Sequence, residues 1–308
     1  MSRRWRRESI ALAALLAGIA EFALGQFWAQ HLMPQIGFFC VICAVLCLIC
    51  RFWVAGACWA AAAVLPLLQV APLYLPHRAT LRPGCQVTVL AFNQLEENPD
   101  NAGAAALIAR RHPDILFADK VYALDEFRGL LLEKLPDYSS AGFGALLILS
   151  RFPISHSSDL RFGIVADATI ADREVRLLNM YMIRPNRNFA AYREEYEKLY
   201  SWLRGERGPL IVGGDGNTTA FTPEMRSIRT LLKDSWDEAG WGLGATFPGP
   251  WRRAGMVGPW MRIDYVLHDS AFDTLAARRI DEAAGAGHYP VAADLVLAGS
   301  GTPGKPCP

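Results

Sequence analysis

Apolar positions are distributed unevenly along this chain. Three almost uncharged stretches come first, Ile10–Ala29, Met33–Cys50 and Phe52–Leu73. As a helix, each is about the length that crosses ~30 Å of hydrocarbon. A signal peptide has one short apolar region, so three in series point to a membrane anchor. From Gln86 onward the pattern changes to short apolar runs divided by polar turns. Val87–Phe92, Ile115–Phe117, Ala145–Leu149, Leu210–Val212, Ile263–Leu267 and Val291–Leu297 predict strands. Ile164–Ile170 alternates with Asp167 and Thr169, as a half-exposed strand does, and Val175–Met180 follows across an Asp172-Arg173 turn. Ala102–Arg111 predicts a helix with Ala104, Leu107 and Ile108 on one face. Asn188–Leu203 predicts another, with Tyr192, Tyr196, Leu199 and Tyr200 along one stripe. The expected organisation is an anchor over 1–76, one domain over 86–298 and a loose Gly/Pro-rich tail over 299–308.

Charge sets the orientation. Arg3, Arg4, Arg6 and Arg7 stand before the first apolar stretch, which keeps the N-terminus cytoplasmic. Three crossings then place the domain outside the cytoplasm, in the periplasm of a Gram-negative host. Arg51 falls in the second tight loop, on the cytoplasmic side by the same count. The 31 Lys and Arg against 30 Asp and Glu leave a formal charge of +1 over 308 residues. That balance argues against nucleic-acid binding by bulk electrostatics. With 52% hydrophobic residues, the chain is not a disordered one. Cys40, Cys43, Cys47, Cys50 and Cys58 lie inside apolar stretches without His or carboxylate company, so they read as small apolar residues, not metal ligands. Cys85 and Cys307 stand at the two ends of the domain. Domain ends often meet, and an oxidising compartment permits a bridge between them. Glu21 sits within the first stretch, one turn from Gln26, where a carboxylate faces a protein partner or a neighbouring helix. Gly56 and Ala60 give the third stretch a small-residue face for helix packing.

Polar residues stand at the ends of several strands: Asn93, Asp215 with Asn217, Asp264 and His288. Strand ends converge at the lip of a sheet, where sites are commonly built. Oxygen- and amide-rich groups of this kind suit hard cations and phosphate. Each also has a local reading, such as a strand-end turn at Asn93, an Asx turn at Asp215-Asn217 or a structural Arg262–Asp264 pair.

Read in order, Val89-Leu-Ala-Phe-Asn93, Pro113-Asp-Ile115, Ile148-Leu-Ser-Arg-Phe-Pro-Ile154, Gly214-Asp-Gly-Asn217, Arg262-Ile-Asp-Tyr265 and His288-Tyr-Pro-Val-Ala-Ala-Asp-Leu295 resemble the successive motifs of the endonuclease/exonuclease/phosphatase superfamily. The resemblance covers Gln86 to Leu297 and extends to the bacterial subgroup with N-terminal transmembrane helices. It implies an α/β fold: a three-helix transmembrane anchor followed by a four-layer α/β/β/α sandwich. It also implies a site where Mg²⁺ and a His–Asp pair hydrolyse a phosphodiester or phosphomonoester.

Four positions depart from the family pattern. Its metal-binding Glu is Lys120, its phosphate-binding His is Tyr181, the Asp before its last His is Gly287, and its Gly-Asp-Phe-Asn aromatic is Gly216. A Lys ammonium at the Glu position replaces an attraction for Mg²⁺ by a repulsion, a change of many kcal/mol at ~4 Å. Asp119 is not expected to substitute, because adjacent strand residues point to opposite faces. Gly287 is expected to leave His288 without a carboxylate partner. The retained set, His288, Asp215, Asn217 and Asp264, is expected to share one pocket with Asn93, Lys120, Tyr181 and Arg262. Two functions fit. One is a catalytically degenerate, membrane-bound pseudoenzyme that partners a membrane protein or binds an anionic, phosphate-containing ligand and needs no cofactor. The other is a residual Mg²⁺-dependent phosphoesterase that takes Asn93, Asp215, Asn217 and Asp264 as metal ligands, with Glu96 or Glu97 helping. The aromatic, basic loop from Phe247 to Trp260 borders the pocket in either case.

Overall fold

The structure is a computed structural model and describes residues 27–75, 80–95, 98–250, 258–299 and 305–308. It divides into two compact units, one comprising the chain to Leu75 with residues 219–223, the other the remainder.

The first unit contains α1 (Phe27–His31), α2 (Met33–Ile49), α3 (Trp53–Val70) and a 3₁₀ turn, Ala71–Tyr74. Pro34 sits in the first turn of α2, where its missing N–H is no loss. The helices α2 and α3 approach closely where side chains are small. A Cβ on Gly37 would lie 2.9 Å from Pro66 Cβ, and one on Gly56 would lie 2.9 Å from the Leu48 side chain. Ala55, Gly56 and Ala63 are buried at this contact, whereas Ala60, expected there, is exposed. Among the described residues one helix, Trp53–Tyr74 with its 3₁₀ turn, is long and apolar enough to cross a membrane. With 17 residues, α2 spans only about 25 Å. The first expected span lies outside the described residues except for its last three, which open α1. Glu21 and Gln26 also lie outside them.

The second unit is built on two six-stranded sheets, ordered β11-β12-β1-β2-β4-β3 and β5-β6-β7-β8-β10-β9. The strands are β1 (Gly84–Asn93), β2 (Ile115–Asp119), β3 (Ser139–Phe143), β4 (Leu146–Ser150), β5 (Ile154–Leu160), β6 (Gly163–Ile170), β7 (Arg173–Tyr181), β8 (Leu210–Asp215), β9 (Lys233–Asp234), β10 (Asp264–His268), β11 (Phe272–Arg279) and β12 (Val291–Ala298). The helices are α4 (Asn101–Arg111), α5 (Leu124–Lys134), α6 (Phe189–Gly205), α7 (Pro223–Ile228) and α8 (Ser235–Ala239).

Alternation along β1 and β2 sorts their side chains into two cores. Leu90, Phe92, Leu116 and Ala118 face outward onto Leu107, Ile108, Phe127 and Leu131 of α4 and α5. The intervening positions face the second sheet, where the Phe117 ring lies over Gly213; a Cβ there would be 2.1 Å from it. Asp100 caps α4 and Asn188 caps α6 through side-chain oxygens on Gly103 N and Ala191 N. The expected strands and both expected helices are present, each within a few residues of its predicted limits. α5, α7, α8, β3, β5, β9 and β11 were not expected. β5 shows mostly exposed Ser, His and Asp, and so carries no apolar signal.

Cys85 and Cys307 form a disulfide with Cα atoms 4.7 Å apart. The last residues are therefore held: Gln86 N donates to Lys305 O, Cys307 N to Gln86 O, and Arg151 Nη2 to Cys307 O. Residues 300–304 of the expected loose tail lie outside the described ones.

Candidate functional site

Strand register brings the polar ends together. In the second sheet Asp215 of β8 is the partner of Tyr181 on β7 and of Asp264 on β10. In the first sheet Asn93 of β1 is the partner of Asp119 on β2. The two rows meet across the sandwich. Asn93 Nδ2 donates to Asp215 Oδ2 at 2.7 Å, and Asp215 N donates to Asp119 Oδ2 at 2.8 Å.

The Gly214-Asp215-Gly216-Asn217 turn holds this junction. Gly214 has φ +121°, and a Cβ there would lie 2.2 Å from Met180 O, so only glycine fits. Asn217 N donates to Asp215 Oδ1 at 2.7 Å, the Asx turn, and Asn217 Nδ2 to Met182 O at 2.8 Å. Gly216 leaves room for Tyr196, whose hydroxyl donates to Gly216 O at 2.7 Å; a Cβ would come within 3.0–3.2 Å of Tyr196, Met225 and Tyr265. The tyrosine stripe of α6 fills the space, which accounts for the lost aromatic.

His288 is not without a carboxylate. Its Nδ1 lies 2.8 Å from Asp264 Oδ2 and 3.1 Å from Oδ1, and both residues are buried. The partner comes from β10, so Gly287 costs the ring nothing. The Phe247 ring packs on the imidazole with centroids 4.9 Å apart. Asp215, Asp264 and His288 place ligand atoms within 4.8 Å of one another.

Lys120 follows β2 with φ +50° and is 3% exposed. That left-handed residue breaks the strand alternation, so Asp119 and Lys120 both serve the same junction, contrary to expectation. Lys120 Nζ lies 5.3 Å from the Tyr181 ring centroid. Burial raises the Asp215 carboxyl above its ordinary range and Asp264 raises it further, against the lowering pull of His288 and Lys120.

Arg262 is not part of this constellation. Its guanidinium is buried, donates to Asp234 at 2.8 and 3.2 Å, and lies over the Tyr265 ring. The arginine faces α8 because the buried Asp234 requires a counter-ion there. Glu96, Glu97 and Trp251 to Val257 lie outside the described residues; Trp260 is partly exposed.

Two residues, Thr246 and Asn179, were missed in the sequence, and a third, Asp119, was set aside there. Thr246 Oγ1 donates to Asp264 Oδ2 at 2.5 Å. Asn179 Nδ2 donates to Ala118 O and Leu147 O, and its buried Oδ1 has no hydrogen-bond partner among the described residues. Asp119 Oδ1 is likewise buried and has no hydrogen-bond partner among the described residues. A charged residue ending the apolar run Ile115–Ala118 was the available signal for Asp119. Thr246 and Asn179 offer none.

Burial drives the Asp119 carboxyl well above its ordinary range, and the Asp215 and Asp264 charges add to this. A group with a raised folded pKa contributes its full stability below the unfolded value and loses it as pH rises. Asp119→Asn keeps an acceptor for Asp215 N and adds a donor where orphan oxygens stand. It is expected to raise stability by about 1–3 kcal/mol at neutral pH. The gain should disappear below about pH 4, where both states of Asp119 are protonated. Thermal melts across that range check it; an unchanged or lowered Tm at neutral pH rejects it.

Residues 90–294 match the endonuclease/exonuclease/phosphatase family model. No curated protein matches the sequence significantly. The fold is similar to an endonuclease/exonuclease/phosphatase from Bacteroides vulgatus (TM-score 0.57, 18% identity, 69% of this chain and 99% of that one). It is also similar to the mannosyl-6-phosphatase Bt3783 of Bacteroides thetaiotaomicron (0.54, 18%, 68% and 99%). The human nocturnin catalytic domain is a third similar structure (0.54, 17%, 70% and 96%). The order of the motifs, the paired six-stranded sheets and the strand-end constellation agree with the match: this chain belongs to the endonuclease/exonuclease/phosphatase family.

Proposed function

We propose that this chain is a membrane-anchored, extracytoplasmic member of the family that serves a membrane assembly as a binding subunit, not as a metal-dependent phosphoesterase. The observation that carries the reading is Lys120, a buried ammonium beside Tyr181 and close enough to bias the Asp215 carboxyl. The donor set does not fit the divalent ion that family members use. Asp215 spends both oxygens on Asn93 and Asn217, Asp264 Oδ2 is shared by His288 and Thr246, and the family's Glu is a cation. Lys120 stands as a tethered substitute for that ion, and Tyr181 as a neutral donor. Such a pocket suits an anionic group, a phosphate or carboxylate, held without cleavage.

The Arg3–Arg7 cluster, the three apolar stretches and the apolar α3 support an anchor with the N-terminus in the cytoplasm. The Cys85–Cys307 bridge supports an oxidising, extracytoplasmic setting. A metal-dependent hydrolase is the second reading, favoured by the Asp215–Asp264–His288 group and the intact His–Asp pair.

Calorimetry of the full chain in detergent with Mg²⁺ and Mn²⁺, beside a phosphomonoester and phosphodiester assay, separates the two. The binding reading expects no submillimolar metal affinity and no turnover. Saturable metal binding with turnover establishes the second reading.

A further inference from the structure

The strand register that builds the polar junction continues past it. Asn93 on β1 and Asp119 on β2 are partners, and β4 runs beside β2 with Leu147 opposite Ala118. One step along, that register sets Leu146 beside Asp119, and Leu146 is the partner of Phe143 on β3. Ladder partners share a face of the sheet. Ala118 and Leu147 face the outer core, and a Cβ on Gly142 would lie 3.2 Å from the Leu124 side chain of α5. The next residue of each strand therefore faces the second sheet. The row Asn93, Asp119, Leu146, Phe143 crosses the first sheet on its inner side. The matching row of the second sheet is Asp264, Asp215 and Tyr181, and β4 lies over β7.

Both rows change character in the same direction. Asn93, Asp119, Asp215 and Asp264 are at most 1% exposed, whereas Leu146 and Tyr181 are half-buried and Phe143 is 60% exposed. A sealed, polar end thus passes into an open one lined by apolar and aromatic side chains. Lys120, directly after Asp119, stands at the change. The β3–β4 hairpin is fastened there, because Val121 N donates to Ala145 O at 2.9 Å. The hairpin turn has no need of an aromatic residue, since Gly144, with φ +60°, takes the left-handed position. Neighbouring strands stand about 4.8 Å apart, so Leu146 and Phe143 lie about 5 and 10 Å from Asp119 along the row.

We infer that Leu146 and Phe143 form an apolar subsite beside the anion position at Lys120, so that the ligand is an anionic group carrying a flat apolar substituent. The inference rests on the binding reading above and adds the class of ligand. The ammonium takes the charged head, and the Phe143 ring offers its face or edge to the substituent. A bare anion leaves that ring in water, whereas an aryl substituent covers it. Tyr122 is as exposed, at 61%, but it follows the end of β2 and the buried Val121 of the outer core, so it stands outside the row.

The test is calorimetric titration of the full chain in detergent with methylphosphonate and with phenylphosphonate, which share an anionic head and differ in the substituent. The parent is expected to bind phenylphosphonate about tenfold more tightly. Phe143→Ala, at an exposed position and with folding verified by its melt, should bring the two affinities within about twofold of each other. Phe143→Tyr keeps the ring and should keep the preference, as should Tyr122→Ala. Equal affinities in the parent overturn the inference. So does a folded Phe143→Ala protein that retains the full preference, or a Tyr122→Ala protein that loses it to the same extent. Lys120→Met distinguishes this failure from that of the binding reading, since it should weaken both phosphonates alike. If neither phosphonate binds the parent, or a folded Lys120→Met protein binds them as tightly, the binding reading fails and the subsite falls with it. If both bind through Lys120 without a phenyl preference, only the subsite is rejected.

Discussion

On the binding reading, Lys120→Glu is expected to make the stability of the domain depend on a metal. The substitution removes the buried ammonium beside Tyr181 and sets a fourth carboxylate next to Asp119, Asp215 and Asp264, all four positions being at most 3% exposed. Leaving buried like charges without a counter-ion costs about 3–5 kcal/mol. The melting temperature of the variant in EDTA should therefore fall well below that of the parent. Mn²⁺ at about 100 times its dissociation constant should restore about 2.7 kcal/mol of the loss. Lys120→Met separates the two effects, since it discards the ammonium without supplying a ligand. It should be destabilised in EDTA and ignore Mn²⁺. Should the parent respond to Mn²⁺ as strongly as the Glu variant, Lys120 does not stand in for the ion and the binding reading loses its support.

The second large effect belongs to the Cys85–Cys307 bridge, which closes a loop with a sequence separation of 222 residues. Constraining so long a loop in the unfolded chain stabilises the folded one by about 5 kcal/mol in the chain-entropy account. For a domain of this size each kcal/mol moves Tm by about 2–4 °C. Cys85→Ser with Cys307→Ser is thus expected to lower Tm by about 10–20 °C, and dithiothreitol should bring the parent to the same value. A parent melt that reductant leaves unmoved would mean the two sulfurs are not joined in solution. The bridge also holds Arg151 Nη2 on Cys307 O, so part of the loss is a local hydrogen bond.

Much of this site was legible in the sequence because of where strands end. Asn93, Asp215, Asp264 and His288 follow or open apolar runs, and chain register then places such ends side by side. What was not legible came from contacts between distant segments. The carboxylate that holds His288 lies 24 positions away on another strand, so the neighbouring Gly287 was misleading. Lys120 and Asp119 were assigned opposite faces by strand alternation, which fails at a left-handed residue just past the strand. Arg262 adjoins the Asp264 strand but answers the buried charge of Asp234, a demand that appears only once α8 is packed. The alternating and apolar strands were readable from period; β5 was not, because an exposed edge strand has no buried face to mark it.

The meeting of the domain's two ends has a practical consequence for how the molecule can be held. β1 runs from Cys85, at the bridge, to Asn93, at the site. Pro308 therefore leaves the sandwich at the root of that strand, about 25 Å from Asn93 along its length. A probe, tag or solid support attached to the C-terminus hangs from the pole opposite the pocket.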